Sequence, residues 1–365
     1  MSLLLERIGL NVGAQVVIRD VSLLLERGTM NVLLGPTLAG KTTLMRLMAG
    51  LDRPSNGRLV LDGKDVTGVP VRRRSVAMVY QQFVNYPSLT VFENIASPLR
   101  VARVPAQEIE ARVRQAAQLL RLENLLQRLP GQLSGGQQQR TAIARALVKR
   151  ADLVLLDEPL ANLDYKLREE LREQLPRIFA ESNAILVYAT TEPTEALLLG
   201  GHTATMWEGQ VTQHGPTPDV YRQPRNIAAA RVFSDPPLNE LAVRKRGATV
   251  TTTSGRDLPA LGVLAHLPDG DYRLGFRCDD VTLDAAAGGT FSFPGTVAVT
   301  EISGTESFVH VDVGAGTWVC LIRGVHDWQP GARAHVQVDM RRAIPFDSAG
   351  VQVGQVAVPL EREQA

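Results

Sequence analysis

The chain has 365 residues, and its 39 Lys and Arg against 38 Asp and Glu give a formal charge of +1 at pH 7. This length is more than one ordinary hydrophobic core organises, so it predicts two domains. The balanced charge gives no basic surface for nucleic acid or anionic lipid. The two cysteines, Cys278 and Cys320, lie far apart in a histidine-poor chain and fit neither a disulfide framework nor a metal site.

Apolar stretches in this sequence are short. Runs such as Leu153 to Leu156 and Ile185 to Val187 fall well below the roughly 20 apolar residues that a membrane-spanning helix requires. No basic and apolar leader precedes them, so the sequence does not predict export. Any role at a membrane is therefore expected to depend on another subunit.

Residues 1–235 alternate short β-rich runs with helical patterns, which predicts an α/β domain that contains parallel strands. Within it, Asn31 to Leu34 is a predicted strand. Leu44, Leu47 and Met48 follow at helical spacing and predict the first helix.

The rest of the organisation consists of a helical insertion and a second domain. The insertion is expected at about residues 88–150, where Pro105 opens a helix with one apolar face. Residues 236–365 instead carry short alternating runs separated by glycines, such as Phe308 to Val311 and His335 to Val338. This pattern predicts an all-β domain, either a sandwich or a small barrel.

A predicted strand, the pattern Gly-x-x-x-x-Gly-Lys-Thr and a predicted helix follow one another, which is the context of a phosphate-binding loop. The glycines allow backbone N–H groups to face phosphate oxygens, and the helix adds its positive end. Lys41 is expected to reach the β- and γ-phosphates, and Thr42 to ligate Mg²⁺. A Gly-rich turn with a chance lysine is the alternative. The predicted ATP-binding loop consists of Gly35, Pro36, Thr37, Leu38, Ala39, Gly40, Lys41, Thr42 and Thr43.

Two carboxylates end a predicted buried strand. The apolar run Leu153 to Leu156 delivers Asp157 and Glu158 to the carboxyl end of a parallel strand, where ligands bind in open α/β sheets. We expect Asp157 to hold Mg²⁺ and Glu158 to act as the general base for the attacking water. The alternative, two surface carboxylates, is disfavoured because Pro159 ends the strand at this point.

A second candidate anion site lies at the start of another helix. Ser134, Gly135, Gly136 and Gln137 open a helical pattern, and the free N–H groups of a helix start bind anions. Both sites serve one nucleotide only if two copies of the domain meet face to face.

These segments together resemble the ATP-binding subunits of ABC transporters, in which a Leu-Ser-Gly-Gly-Gln signature, here Leu133 to Gln137, binds the nucleotide of the opposite subunit. The resemblance covers the whole chain. Pro87 to Asn94 and the β-rich tail are similar to importer ATPases for sugars, polyols and glycerol phosphate. The loop and the segment Tyr188 to Glu192 are most similar to the paired ATPases of bacterial glycerol importers. The resemblance implies an α/β P-loop NTPase of the ABC ATPase type and an oligonucleotide-fold-like (TOBE) regulatory domain.

The resemblance also implies roles for single residues. Gln81 corresponds to the glutamine that senses Mg²⁺ and the γ-phosphate, and Asp164 lies in the loop that touches the opposite site. A surface glutamine and a helix cap are the respective alternatives. Val12 and Val17 are expected to contact adenine, although an aromatic ring usually stands at the position of Val12.

Two further departures from the family pattern concern the phosphates. Leu38 replaces a small glycine inside the loop and is expected to alter the φ preference there. Thr191 occupies the position of the histidine that contacts the γ-phosphate, and the first histidine of the chain is His202.

Two functional hypotheses result. In the first, the chain is the ATP-binding subunit of an ABC importer and couples MgATP hydrolysis at a dimer interface to uptake of a small polar solute. In the second, Thr191 makes the chain a catalytically impaired regulatory subunit that completes the site of a different ATPase. The implied partners are a second ATPase subunit, with a heterodimer favoured, two transmembrane permease subunits and, indirectly, an extracytoplasmic solute-binding protein. The implied location is peripheral, at the cytoplasmic face of the bacterial inner (plasma) membrane.

Overall fold

The chain forms two compact units, Met1–Pro218 and Asp219–Ala365. This computed structural model describes residues 2–161, 163–182, 184–283 and 290–354. The boundary predicted at residue 235 falls inside the second unit, because the short helix Ile227–Val232 packs its Ala230 against Leu238 and Phe346 of that unit. Within the described residues, no helix is both long and apolar enough to cross a membrane.

The first unit alternates strands and helices in the way that the sequence predicts. Its strands are β1 (Ser2–Val12), β2 (Gln15–Glu26), β3 (Met30–Leu34), β4 (Asn56–Leu61), β5 (Lys64–Asp65), β6 (Val76–Val79), β7 (Leu153–Asp157), β8 (Ile185–Thr190), β9 (His202–Trp207) and β10 (Gln210–Pro216). Its helices are α1 (Lys41–Ala49), α2 (Val91–Val101), α3 (Ala106–Leu119), α4 (Gly135–Val148), α5 (Tyr165–Ser182) and α6 (Pro193–Leu199). Two short helices follow, α7 (Thr217–Arg222) and α8 (Ile227–Val232).

A six-stranded sheet, in the order β10-β9-β3-β8-β7-β6, positions the predicted phosphate site. Its strands pair in parallel except for β10 with β9. Strands β3, β7 and β8 are buried along their whole length, as their continuous apolar runs predict. Because Leu34 pairs with Thr190 and Asp157 pairs with Ala189, the three strands end at the same edge.

The helical insertion and a second sheet complete this unit. Helices α2, α3 and α4 lie within the predicted segment 88–150, and the apolar face of α3 is buried at Ile109, Val113 and Ala116. The four-stranded antiparallel sheet β2-β1-β4-β5 packs Leu5 and Ile18 against the core that α1 also covers.

The second unit is all-β apart from its short helices, which confirms the predicted class. Its strands are β11 (Asn239–Arg246), β12 (Thr249–Thr252), β13 (Asp257–Pro259), β14 (Gly270–Phe276), β15 (Val281–Thr282), β16 (Thr290–Ile302), β17 (Glu306–Asp312), β18 (Thr317–Arg323), β19 (Arg333–Asp339) and β20 (Ile344–Phe346). They form two five-stranded sheets, β13-β12-β11-β14-β20 and β15-β19-β16-β17-β18. Phe276 and Phe293 contact the buried Trp318, with ring centroids 6.0 and 5.2 Å away, so one core serves both sheets.

Candidate nucleotide-binding site

The glycine-rich loop joins β3 to α1 in a conformation that requires glycine. Gly40 precedes α1 at φ 100°, and a β-carbon there would lie 2.9 Å from Ile18 Cδ1. A β-carbon on Gly35 would lie 2.4 Å from the carbonyl oxygen of Met206. The glycines therefore allow close packing of the loop that larger residues would prevent.

Lys41, the first residue of α1, holds a buried positive charge within this loop. Its Nζ donates to the carbonyl oxygens of Gly35 (2.7 Å) and Pro36 (3.1 Å) and lies 3.8 Å from Glu158 Oε1. Burial lowers the pKa of Lys41, and the nearby carboxylates of Glu158 and Asp157 oppose that shift. The ammonium is thus fixed between the loop and the end of β7.

The next residue, Thr42, meets the buried carboxylate of Asp157. Thr42 Oγ1 donates to Asp157 Oδ2 at 2.7 Å. Burial raises the pKa of Asp157, whereas the Thr42 hydroxyl and the Lys41 charge lower it. Hydroxyl and carboxylate oxygens, together with the amide oxygen of Gln81, are the hard donors that Mg²⁺ prefers. The residues present therefore fit a magnesium ion.

The carboxylate of Glu158 lies beside Lys41 and Gln81, and the backbone of Glu158 has an unusual conformation. Its φ is 45°, and its N–H donates to the carbonyl oxygen of Ala189 at 3.0 Å. Its Oε2 accepts a hydrogen bond from Gln81 Nε2 at 2.9 Å. Burial raises the pKa of the Glu158 carboxyl, and the Lys41 ammonium opposes this effect. A carboxylate with a raised pKa is a stronger base than an ordinary glutamate, which favours acceptance of a proton from water.

Thr191 follows β8 at the same edge of the sheet. It is half-buried, and the carbonyl oxygen of the preceding Thr190 accepts the N–H of Gly35 at 3.3 Å. The structure therefore places Thr191 directly beside the start of the glycine-rich loop.

The second predicted anion site is a helix start, as the sequence indicates. Ser134 caps α4 and forms a reciprocal capping box, in which Gln137 N donates to Ser134 Oγ (3.4 Å) and Ser134 N donates to Gln137 Oε1 (3.0 Å). Ser134 and Gly135 are exposed, and Gly136 and Gln137 are half-buried. Among the described residues, no hydrogen bond or ion pair joins these four to the glycine-rich loop.

The remaining predicted residues lie around the loop. Leu38 is 95% exposed at φ 70°, so the position does adopt the left-handed conformation that suits the family's glycine. Val17 is half-buried on β2, with its carbonyl oxygen beside Gly40, and Val12 is 62% exposed at the end of β1. Asp164 caps α5, accepting the N–H of Leu167 at 3.0 Å. Asn162, in the same predicted dimer loop, lies outside the described residues.

Two further buried polar residues near this site, Gln139 and Glu195, belong to no motif predicted from the sequence. Gln139 is buried, and its Nε2 lies 3.5 Å from the carbonyl oxygen of Glu158. Glu195 on α6 is also buried, with Tyr188 and Arg172 around it. Glu195 could have been found from the sequence, because it is a charged residue on the apolar face of α6. Gln139 gives no such signal, because it stands among other polar residues in the run Gln137 to Arg140.

The fold and this site together define a P-loop nucleotide-binding protein, and comparisons with known proteins agree. A family model described as ABC transporter matches residues 18–161, and one described as TOBE domain matches residues 274–346. The trehalose/maltose import ATP-binding protein MalK of Thermococcus litoralis is 36% identical over 92% of this chain and 94% of its own length. The sn-glycerol-3-phosphate import ATP-binding protein UgpC 3 of Agrobacterium fabrum is 34% identical over 92% of this chain and 95% of its own length.

Solved structures show the same fold for the first unit. An ATP-binding subunit of an ABC transporter superimposes with a TM-score of 0.56 at 26% identity, over 61% of this chain and 93% of that chain. A dimeric ATP-binding cassette with bound ADP and phosphate gives a TM-score of 0.54 at 28% identity, over 59% of this chain and 98% of that chain. The chain belongs to the ATP-binding subunits of ABC transporters. It is an ABC-type ATPase with a C-terminal TOBE domain, which confirms the predicted family, fold and enzyme class.

Proposed function

We propose that the chain powers an importer for a small polar solute of the sugar, polyol or glycerol-phosphate class. It would work with a second ATPase subunit and two permease subunits at the cytoplasmic face of the membrane, with a solute-binding protein acting on the other side. The import functions named for its relatives support this class of solute.

The observation that carries the proposal is the convergence of five side chains. At the edge where β3, β7 and β8 end, Thr42 bonds Asp157 at 2.7 Å, and Glu158 lies 2.9 Å from Gln81 and 3.8 Å from Lys41. One positive charge, a hydroxyl, two carboxylates and an amide are the groups that phosphoryl transfer to water requires.

The roles of these residues follow from their positions. MgATP supplies the γ-phosphoryl group and the cation that neutralises its charge. Lys41 keeps a fixed positive charge in the loop, where it stabilises negative charge without reorganising. Thr42 and Asp157 offer oxygen donors, and the Glu158 carboxylate accepts the proton of the attacking water. Gln81 orients that carboxylate through its 2.9 Å hydrogen bond.

Completion of the site by a second subunit is also part of the proposal. Among the described residues, the start of α4, exposed at Ser134 and Gly135, forms no hydrogen bond or ion pair with the chain's own phosphate loop, which supports its use by a partner's nucleotide. Thr191 stands where the family has a histidine that contacts the γ-phosphate, and this difference favours a partner ATPase of different sequence. The hypothesis of a purely regulatory subunit draws no support from the relatives, which are named as import ATP-binding proteins.

Reconstitution tests the proposal. The chain would be purified with its permease subunits, its partner ATPase and the solute-binding protein in lipid vesicles, and phosphate release would be measured with sugars, polyols and glycerol phosphate. We expect one solute to stimulate hydrolysis and to accumulate with ATP. Hydrolysis that no solute stimulates would contradict an import role.

Two variants separate the subunits' contributions. Glu158→Gln in this chain should reduce solute-stimulated hydrolysis strongly, and Thr191→His should raise it, because an imidazole reaches further toward the γ-phosphate than a threonine does. Thr194→His, at an exposed position of α6, is the control. Full activity of the Glu158→Gln complex, with loss on the matching change in the partner, would instead establish the regulatory hypothesis.

A further inference from the structure

A buried carboxylate lies beneath the loop that carries Thr191. Glu195, on α6, accepts hydrogen bonds from Tyr188 Oη at 2.8 Å and from Thr190 Oγ1 at 2.5 Å. Arg172 Nη2 of α5 lies 3.9 Å from its Oε1. Both hydroxyls belong to residues at the end of β8, so the Glu195 carboxylate connects the end of this strand to α6 and α5.

The hydroxyl of Thr190 extends this network to the backbone of the loop. Thr190 Oγ1 donates its proton to Glu195, which leaves its lone pairs free to accept. One of them accepts the N–H of Glu192 at 3.0 Å. The carbonyl oxygen of Thr190 meanwhile accepts the N–H of Gly35. The backbone on both sides of Thr191 is thereby fixed, on one side to the phosphate loop and on the other to Glu195.

Helix α5 adds a second connection to the same loop. Arg168 Nη1 lies 3.6 Å from Glu192 Oε1, and Arg168 Nη2 donates to the carbonyl oxygen of Ala161 at 3.1 Å. Arg168 and Arg172 are one helical turn apart, so they face the same side of α5. The helix that Asp164 caps therefore contacts both carboxylates, Glu192 and Glu195.

We propose that Glu195 is a positioning residue for hydrolysis, which acts through the Thr190 hydroxyl to hold the Thr191 loop at the phosphate site. This inference rests on the proposed function, since it concerns the same reaction. The Thr190 hydroxyl bonds both the Glu195 carboxylate and the Glu192 N–H, so it connects the buried carboxylate to the backbone of the loop. Displacement of a group near the reacting atoms by about 1 Å can slow a reaction on the order of 100-fold.

Thr190→Val tests the hydrogen-bond chain more locally than removal of Glu195, because it removes one hydroxyl and keeps the contacts of Glu195 with Tyr188 and Arg172. Valine has the shape of threonine but no hydroxyl, and Thr190→Ser restores the hydroxyl alone. Thr203→Val is the matched control, because Thr203 is as buried as Thr190 and its hydroxyl bonds Thr217 at 2.8 Å, away from the loop.

Hydrogen exchange of the chain alone gives a readout that is independent of catalysis. We expect the Glu192 amide to exchange at least about tenfold faster in Thr190→Val than in wild type, because it loses its acceptor. Thr190→Ser and Thr203→Val should keep the wild-type rate at this amide. Unchanged protection of Glu192 in Thr190→Val would overturn the inference, whatever the activity of the complex.

Steady-state ATPase assays of the reconstituted complex then test positioning. Thr190→Val should lower kcat on the order of tenfold or more while KM for ATP stays within about twofold, and Thr190→Ser should recover kcat. Wild-type kcat in a Thr190→Val complex with a freely exchanging Glu192 amide would overturn the inference. Absence of hydrolysis in every wild-type assembly would refute the proposed function, while the exchange measurement still decides whether the Thr190 hydroxyl holds the loop.

Discussion

Gln81 Nε2 donates a hydrogen bond to Glu158 Oε2 at 2.9 Å, across 77 positions of sequence. Gln81 follows β6 and Glu158 follows β7, so this bond joins the ends of two neighbouring parallel strands. The carboxylate that we assign as general base is therefore oriented by a residue on the segment that leads into the helical insertion. Movement of that segment would change the direction of the carboxylate.

Replacement of Glu158 by glutamine should remove general-base catalysis and keep the shape of the site. We expect kcat to fall by about 10²- to 10⁴-fold, the usual contribution of such a group, while ATP still binds. Glu208→Gln is the control, because Glu208 is an exposed glutamate with a similar φ, 46° against 45°. A phosphate-release assay and a nucleotide-binding assay together check this; a retained kcat would show that Glu158 is not the base.

The pH dependence of hydrolysis should show the raised pKa of Glu158. Burial shifts this pKa above the ordinary value of 4.5, and the base acts only when deprotonated. The rate should therefore decline on acidification at a pH above that at which an ordinary glutamate titrates. A kcat/KM profile of the reconstituted complex measures this limb, and the residual activity of Glu158→Gln should lack it.

Leu38→Gly should stabilise the first unit. Leu38 has φ 70°, which costs a residue with a β-carbon about 1–2 kcal/mol, and the added chain entropy of glycine offsets about half of that. We expect a net gain of roughly 0.5–1 kcal/mol, or about 1–4 °C in Tm. Leu198→Gly, an exposed leucine within α6, should instead destabilise the unit. Calorimetry of both variants checks the opposite signs.

Glu195→Gln should change how stability depends on pH. Burial raises the folded-state pKa of Glu195 above 4.5, with Thr190, Tyr188 and Arg172 opposing and Glu192 adding to the shift. The folded state thus binds a proton that the unfolded state releases, so wild type loses stability as pH rises from about 4.5 through the folded pKa.

Glu195→Gln cannot titrate, and its stability should lack this component. Denaturant unfolding of both proteins across pH 4 to 8, with equal concentrations and salt, gives the difference. Thr203→Val should differ from wild type by the same amount at every pH, since it removes a buried polar group that does not titrate. A constant difference between wild type and Glu195→Gln would refute the prediction.

The motifs and strand ends were predictable because each is contiguous in sequence. The apolar runs predict the strands β3 and β7. Residues at or after the ends of these strands, such as Asp157 and Lys41, are thereby predicted to lie at one edge of the sheet. The capping role of Ser134 follows similarly from a local pattern. The left-handed conformation of Glu158 was not predictable, since glutamate has no preference for positive φ.

Contacts between distant elements were the other part that sequence reasoning missed. Gln139 on α4 lies within 3.5 Å of Glu158, which is 19 positions away in sequence. Arg172 on α5 lies 3.9 Å from Glu195 on α6. A single buried polar residue on an amphipathic helix gives no indication of its partner, because the packing of α5 against α6 decides it.

The exposed side chain of Leu38 has a thermodynamic consequence for any surface that closes over the phosphate loop. Removing a leucine of this exposure from water favours closure by about 1.5–3 kcal/mol and lowers the heat capacity of the complex. Such a gain is entropic near room temperature and weakens on cooling. If a surface covers Leu38, its association with the phosphate loop should weaken on cooling. Calorimetry at several temperatures would then record a negative heat-capacity change that Leu38→Gly diminishes.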